Sequence, residues 1–128
     1  MVMDTNVKGP FFLIQRLLPE LEKQASHERP SHIVNVGSID GIKMPRFENF
    51  SYGPSKAAIH HLTRVLAAHL IKRNIIVNGI APRPFPTYTL STGVGGGRKV
   101  DTHAWDAVGK GNPRGRAGTP QHIAGPAS

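Results

Sequence analysis

Tyr52 and Lys56 stand four residues apart in Ser51-Tyr-Gly-Pro-Ser-Lys-Ala-Ala-Ile59, where a helical apolar spacing begins. On a helix, positions i and i+4 share one face, so the phenol and the ammonium can serve one site. A phenol, with an ordinary pKa of about 10, is a poor acid near neutrality. An ammonium held about 4 Å away favours the phenolate by up to about 4 kcal/mol at an effective dielectric near 20, which brings tyrosine within range of acid–base work. The same spacing also arises by chance in many helices, as a boundary tyrosine beside a solvated lysine. The neighbouring residues have to decide between the two.

Upstream, Ser31-His-Ile-Val-Asn-Val-Gly-Ser-Ile-Asp-Gly41 carries the β-branched Ile33, Val34 and Val36 in a short run that stops at Gly37-Ser38. This pattern predicts a buried strand that delivers Ser38 at its C-terminal end. Ligands of open α/β sheets sit outside the carboxyl ends of the strands. Alone, Ser38 reads equally as a turn or capping serine. The order strand, Ser, loop, Tyr-x-x-x-Lys is far more specific, and it resembles the short-chain dehydrogenase/reductase family.

The resemblance runs through nearly the whole chain. Asn6-Val-Lys-Gly9 resembles the family's helix-borne asparagine segment. Ile33-Val-Asn-Val-Gly-Ser38 is similar to its catalytic-serine strand, and Tyr52-Gly-Pro-Ser-Lys56 to its active-site helix. Asn74-Ile-Ile-Val-Asn-Gly-Ile-Ala-Pro82 is similar to the strand and loop that close over the nicotinamide, and Arg114-Gly-Arg-Ala-Gly-Thr-Pro120 to the segment leading into the last helix. Gly37-Ser-Ile-Asp-Gly41 and Ala81-Pro-Arg-Pro-Phe-Pro86 look most like the branch of 3-oxoacyl-thioester reductases associated with rhamnolipid pathways. The family begins with a strand, a Gly-rich turn and a helix whose N-terminus holds the dinucleotide pyrophosphate. Before Asn6 stand only Met-Val-Met-Asp-Thr. The glycine cluster Gly93-Val-Gly-Gly-Gly97 follows no strand and reads as a loop. The expected fold is therefore α/β: a partial Rossmann-type doubly wound parallel sheet, lacking the N-terminal cofactor-binding half and the last strand. Residues 1–128 would form a single incomplete domain, with 83–117 as a substrate loop or lid.

The resemblance also implies roles. Tyr52 would protonate the substrate oxygen as hydride arrives at the carbonyl carbon, and Ser38 would hydrogen-bond that oxygen. Lys56 would assist the tyrosine and bind the nicotinamide ribose, and Asn6 would hold a water linking the lysine to solvent. Pro82, Phe85 and Thr87 match the segment that packs on the nicotinamide. Without the resemblance Asn6 reads as a helix cap, and these three read as ordinary loop residues. The implied cofactor is NADP, with NAD possible, and the leading substrate class is a 3-oxoacyl thioester. A sugar, steroid or secondary alcohol is the alternative within the family. A catalytically dead interaction module is the alternative outside it, because helices carrying the equivalents of Asn6 and Tyr52 commonly pack between copies in family homo-oligomers. Two positions depart from the family pattern. Arg83 stands where glycine usually follows Ala-Pro, which predicts a strained left-handed backbone, and Gly79 replaces a commoner alanine and should loosen its strand.

Composition narrows the classes. Sixteen Lys+Arg against eight Asp+Glu leave a net charge of +8. The basic residues are scattered, and the groups Arg98-Lys99 and Arg114-Gly-Arg116 lack neighbouring aromatics for base stacking, so nucleic acid is not an expected partner. With no cysteine, disulfides and thiolate metal sites are excluded. No metal is expected at the seven histidines: His60 and His61 point about 100° apart on a helix, and both read as solvated. The apolar Phe11-Phe-Leu-Ile14 is too short to span a membrane, and a cytoplasmic location is the default.

Three elements must position the site. Phe11, Ile14, Leu17, Leu18 and Leu21 predict a helix over 6–24 that Pro19 kinks or interrupts. Ser51 as N-cap and Pro54 in the first turn predict a second helix running to about Lys72. Asn74 predicts a turn into a second buried strand at Ile75-Ile-Val77.

Overall fold

Two parallel strands joined by a long helix form the centre of the computed structural model, which describes residues 1–44, 49–83, 85, 109–113, 115–119 and 121–127. A π-helical turn, Asp4–Lys8, leads into α1 (Gly9–Gln24), followed by β1 (Ser31–Val36), a short 3-10 turn (Ile39–Gly41), α2 (Tyr52–Leu70), a second 3-10 turn (Ile71–Arg73) and β2 (Ile75–Ile80). Helix α3 (Gln121–Ala127) comes last. The chain divides into two compact units, Met1–Ala81 and Pro82–Ser128. Among the described residues no helix is long and apolar enough to cross a membrane.

In the first unit, α2 is the crossover that parallel strands require. The strands pair from Ser31 with Ile75 to Val36 with Ile80. Their odd-numbered residues share one face by the two-residue period of a strand. On that face Ile75 and Val77, with Ile33 alongside, pack against Ile14, Leu18 and Leu21 of α1 and Leu66 and Leu70 of α2. The run Ile33-Val-Asn-Val36 predicted burial on both faces, yet Val34 and Val36, pointing the other way, are 47% and 56% exposed. The correction follows from layering: both helices contact the sheet through the odd-numbered face.

Pro19 lies inside α1 without ending it, so of the two expected effects, a kink or an interruption, the interruption does not occur. The end of α1 is tied to β1 by Ser31 Oγ donating to the Leu21 carbonyl at 2.7 Å, and Glu22 pairs with Arg73. Asn74 makes the predicted turn with a left-handed backbone (φ 55°, ψ 34°), a region Asn tolerates better than most residues. Its carbonyl accepts from the Ser31 N–H.

In the second unit, Phe85 lies against Gly118, where a Cβ would fall 2.2 Å from the ring. Arg83 donates from Nη1 to the Gly111 carbonyl at 3.3 Å. The expected strain at Arg83 is absent, because among the described residues Asn74 is the one non-glycine with positive φ. Thr119 N–H donates to His122 Nδ1 at 2.8 Å at the entry to α3. Most of 83–117 lies outside the described residues.

Candidate active site

The first turn of α2 is built to hold Tyr52. Asn49 Oδ1 accepts from the N–H groups of Tyr52 (3.0 Å) and Gly53 (3.3 Å), satisfying donors that the start of a helix leaves without partners. Ser51 occupies the N-cap position as predicted, but its side chain makes no capping bond. Capping falls instead to Asn49, whose longer side chain reaches the same N–H groups. Pro54 sits in the first turn as expected. The Tyr52 residue is 39% exposed.

Ser55, fully buried, donates to the Tyr52 carbonyl at 2.7 Å and accepts from Asn6 Nδ2 at 2.9 Å. Asn6 is therefore not a helix cap. It lies in the π-helical turn and reaches across to the element that carries Tyr52.

Lys56 Nζ donates to the Val36 carbonyl at 3.1 Å, at the C-terminal end of β1, and lies 5.5 Å from the centroid of the Tyr52 ring. Burial holds its ammonium below the ordinary lysine range. The cation thus sits near the aromatic ring, within the distance at which the two attract. Asn6, Lys56, Asn35, Val36 and Ile59 line one open groove of about 600 Å³.

Ser38 lies just past the strand. Gly37 N–H donates to the Ile80 carbonyl at 2.8 Å, carrying the parallel ladder one residue beyond β1. Ser38 is nearly buried, its backbone is extended, and its Oγ accepts from the Asp40 N–H at 3.2 Å. It caps the Ile39–Gly41 turn, as the simpler reading expected, and this leaves its O–H free to donate elsewhere. Gly41 then presses on α2: a Cβ there would lie 2.5 Å from the carbonyl carbon of Lys56. The serine turn and the Tyr-Lys helix meet backbone to backbone, which only glycine permits.

His60 joins the same region. Its Nε2 is 3.2 Å from the Ser38 nitrogen and 2.9 Å from the Ser38 carbonyl oxygen. It is not the solvated histidine that its place beside His61 predicted. Behind it, Asn35 Nδ2 donates to Thr63 Oγ1 at 2.9 Å, and Thr63 Oγ1 donates to the Ile59 carbonyl.

Asn6, Ser38, Tyr52 and Lys56 all lie in the first unit, Asn6 joined to the Tyr52 turn through Ser55 and Lys56 to the strand end two residues before Ser38. Pro82 and Phe85 belong to the second unit, and Thr87 lies outside the described residues. Among the described residues no group of three or more His, Asp or Glu could hold a metal ion. Sequence reasoning missed Asn49, Ser55, Gly41 and His60. Gly41 alone carried a visible signal, as the glycine three residues after the strand serine.

Comparison with known proteins follows the same segments. Residues 1–128 match the family model described as enoyl-(acyl carrier protein) reductase. The chain is 41% identical over 125 residues to the rhamnolipids biosynthesis 3-oxoacyl-[acyl-carrier-protein] reductase of Pseudomonas aeruginosa, covering 96% of this chain and 46% of the relative. The Pseudomonas aeruginosa RhlG/NADP active-site complex superposes with a TM-score of 0.86 at 40% identity, over 98% of this chain and 48% of that one. The fold is shared with the 3-ketoacyl-(acyl-carrier-protein) reductase of Brucella melitensis complexed with NADH, at a TM-score of 0.74 and 24% identity over 95% and 46% of the two chains. The chain spans about half the length of these relatives.

Proposed function

The chain belongs to the short-chain dehydrogenase/reductase family, and on that premise we propose that it carries the catalytic residues of an NADP-dependent reductase, with NAD as the alternative nucleotide. Its substrate is a carbonyl compound, a 3-oxoacyl thioester before a sugar, steroid or secondary alcohol, since the Pseudomonas relative is named for the thioester reaction. The observation that carries the reading is Lys56, four residues after Tyr52, bonded to the carbonyl that ends β1 two residues before Ser38.

The donor set fits the ribose end of a nicotinamide nucleotide. Lys56 spends one of its three donors on Val36 and has two to offer a diol, and the partly exposed phenol of Tyr52 adds a third. Bound there, the nucleotide supplies the hydride. Tyr52 gives its proton to the substrate oxygen, and the Ser38 O–H, whose oxygen accepts from the Asp40 N–H, donates to the same atom. The Lys56 charge stabilises the phenolate that remains. Asn6 keeps its side-chain carbonyl as an acceptor in the groove it shares with Lys56, where a water can return the proton.

The test joins residues 1–128 to the N-terminal portion of the Pseudomonas relative. With NADPH and a 3-oxoacyl thioester, Tyr52→Phe should lower kcat by about 10²- to 10⁴-fold; unchanged turnover removes Tyr52 from the reaction. A larger kcat/KM for a sugar or steroid ketone would overturn the substrate class.

A second reading, an association module built on α1 and α2, is favoured by Phe11, Phe12, Leu13 and Leu17, all exposed on α1. It requires a homo-oligomer in sedimentation that Phe12→Glu disperses. A monomer at all concentrations excludes it.

A further inference from the structure

We propose that His60 is a positioning residue: it holds the Ser38 peptide and thereby sets the distance between the serine hydroxyl and Tyr52. The proposal rests on the reductase reading for the role of Ser38, but its structural part stands on His60 alone.

Beyond Gly37 the sheet ladder ends, because the Gly37 N–H makes the last bond to β2. The next peptide, at Ser38, is nearly buried, and a buried backbone group needs a partner. The partner is the imidazole. Its Nε2 lies 3.2 Å from the Ser38 nitrogen and 2.9 Å from the Ser38 oxygen. A single ring nitrogen cannot accept from the N–H and donate to the carbonyl together, so one tautomer serves each bond. Either tautomer clamps the same residue in its extended backbone (φ −162°, ψ 154°).

The ring has a place made for it. A Cβ on Gly37 would fall 2.1 Å from His60 Cε1, so any larger residue at 37 evicts the imidazole. His60 also lies eight residues, about two turns, along α2 from Tyr52. A rigid helix bearing Tyr52, Lys56 and the ring that grips Ser38 fixes all three groups in one frame. Asp40 orients the hydroxyl locally, while His60 fixes where that hydroxyl stands relative to the phenol.

The test has two arms. In the ¹⁵N-labelled 128-residue chain, long-range imidazole NMR should show His60 locked in one tautomer, and the Ser38 amide should be protected from exchange. His60→Leu should speed exchange at Ser38 by about tenfold or more while the amides of Ile75 and Val77 keep their protection. His60→Gln, whose carboxamide can still bond that peptide, should restore most of the protection. In the chain completed by the N-terminal portion of the Pseudomonas relative, His60→Leu should lower kcat by about ten- to a hundredfold with little change in KM for NADPH, and His60→Gln should recover much of the loss. An averaged tautomer with equal Ser38 protection in all three chains would overturn the proposal. So would protection lost at Ser38 and β2 in parallel, with no rescue by Gln, because the ring would then be mere filling. A Ser38→Ala change that leaves turnover intact would instead strike the reductase reading and leave the NMR result standing.

Discussion

Lys56 is where the chemistry of the site is most exposed to measurement. Burial disfavours its charged form, so its proton leaves below the ordinary lysine value of 10.5. Because the folded value is the lower one, the unfolded chain binds more protons between the two values, and stability rises with pH across that window. Below the folded value the buried charge is a standing cost, relieved as the pH climbs through it. A ¹³C-lysine titration should therefore show Lys56 deprotonating below the ordinary value of 10.5. Urea denaturation across that window should show the pH slope diminished in Lys56→Met. A Lys56 resonance that titrates at or above 10.5 would refute the burial argument.

Between elements, two glycines predict changes of opposite sign. Gly41 sits against the α2 backbone, where an added Cβ would meet the carbonyl carbon of Lys56 at 2.5 Å and the nitrogen of Ala57 at 2.6 Å. Backbone cannot rotate away, so Gly41→Ala should cost about 1–3 kcal/mol through overpacking, measured by urea denaturation. Gly79 in β2 has room: a Cβ there would touch Thr63 Cγ2 at 3.4 Å, an ordinary contact. Gly79→Ala should raise stability by about 0.5–1 kcal/mol by removing the flexibility of glycine within a strand. Equal effects at the two sites would mean that neither contact is as drawn.

At the scale of the molecule, the unevenly covered sheet is the leading feature. One face buries Ile75 and Val77, and the other leaves Val34 and Val36 open. Asn6, Ser38, Tyr52 and Lys56 lie in one unit, yet among the described residues no strand, Gly-rich turn and helix for a pyrophosphate occurs. We therefore expect the 128-residue chain alone to bind NADPH weakly or not at all in titration calorimetry; micromolar affinity would overturn this. The net charge of +8 offers anions general attraction, so the titration belongs at physiological salt, where exposed charges are screened beyond about 8 Å.

The sequence by itself determined the order of elements, the Tyr-Lys pair on one helix face and the serine at a strand end. Each of these depends on local rules: apolar period, β-branching, and proline or asparagine at a boundary. The partners of those residues were not legible. Lys56 with Val36, Asn6 with Ser55 and His60 with Ser38 are separated by 20, 49 and 22 residues, and a hydrogen bond across such distances leaves no periodic trace. Ser51 rather than Asn49 was expected to cap α2, because both side chains can do so and only the path of the loop chooses. Burial of β1 on one face was equally illegible, since an apolar run records what a strand can bury. Which face is covered depends on where the helices pack, and the tertiary structure alone decides that.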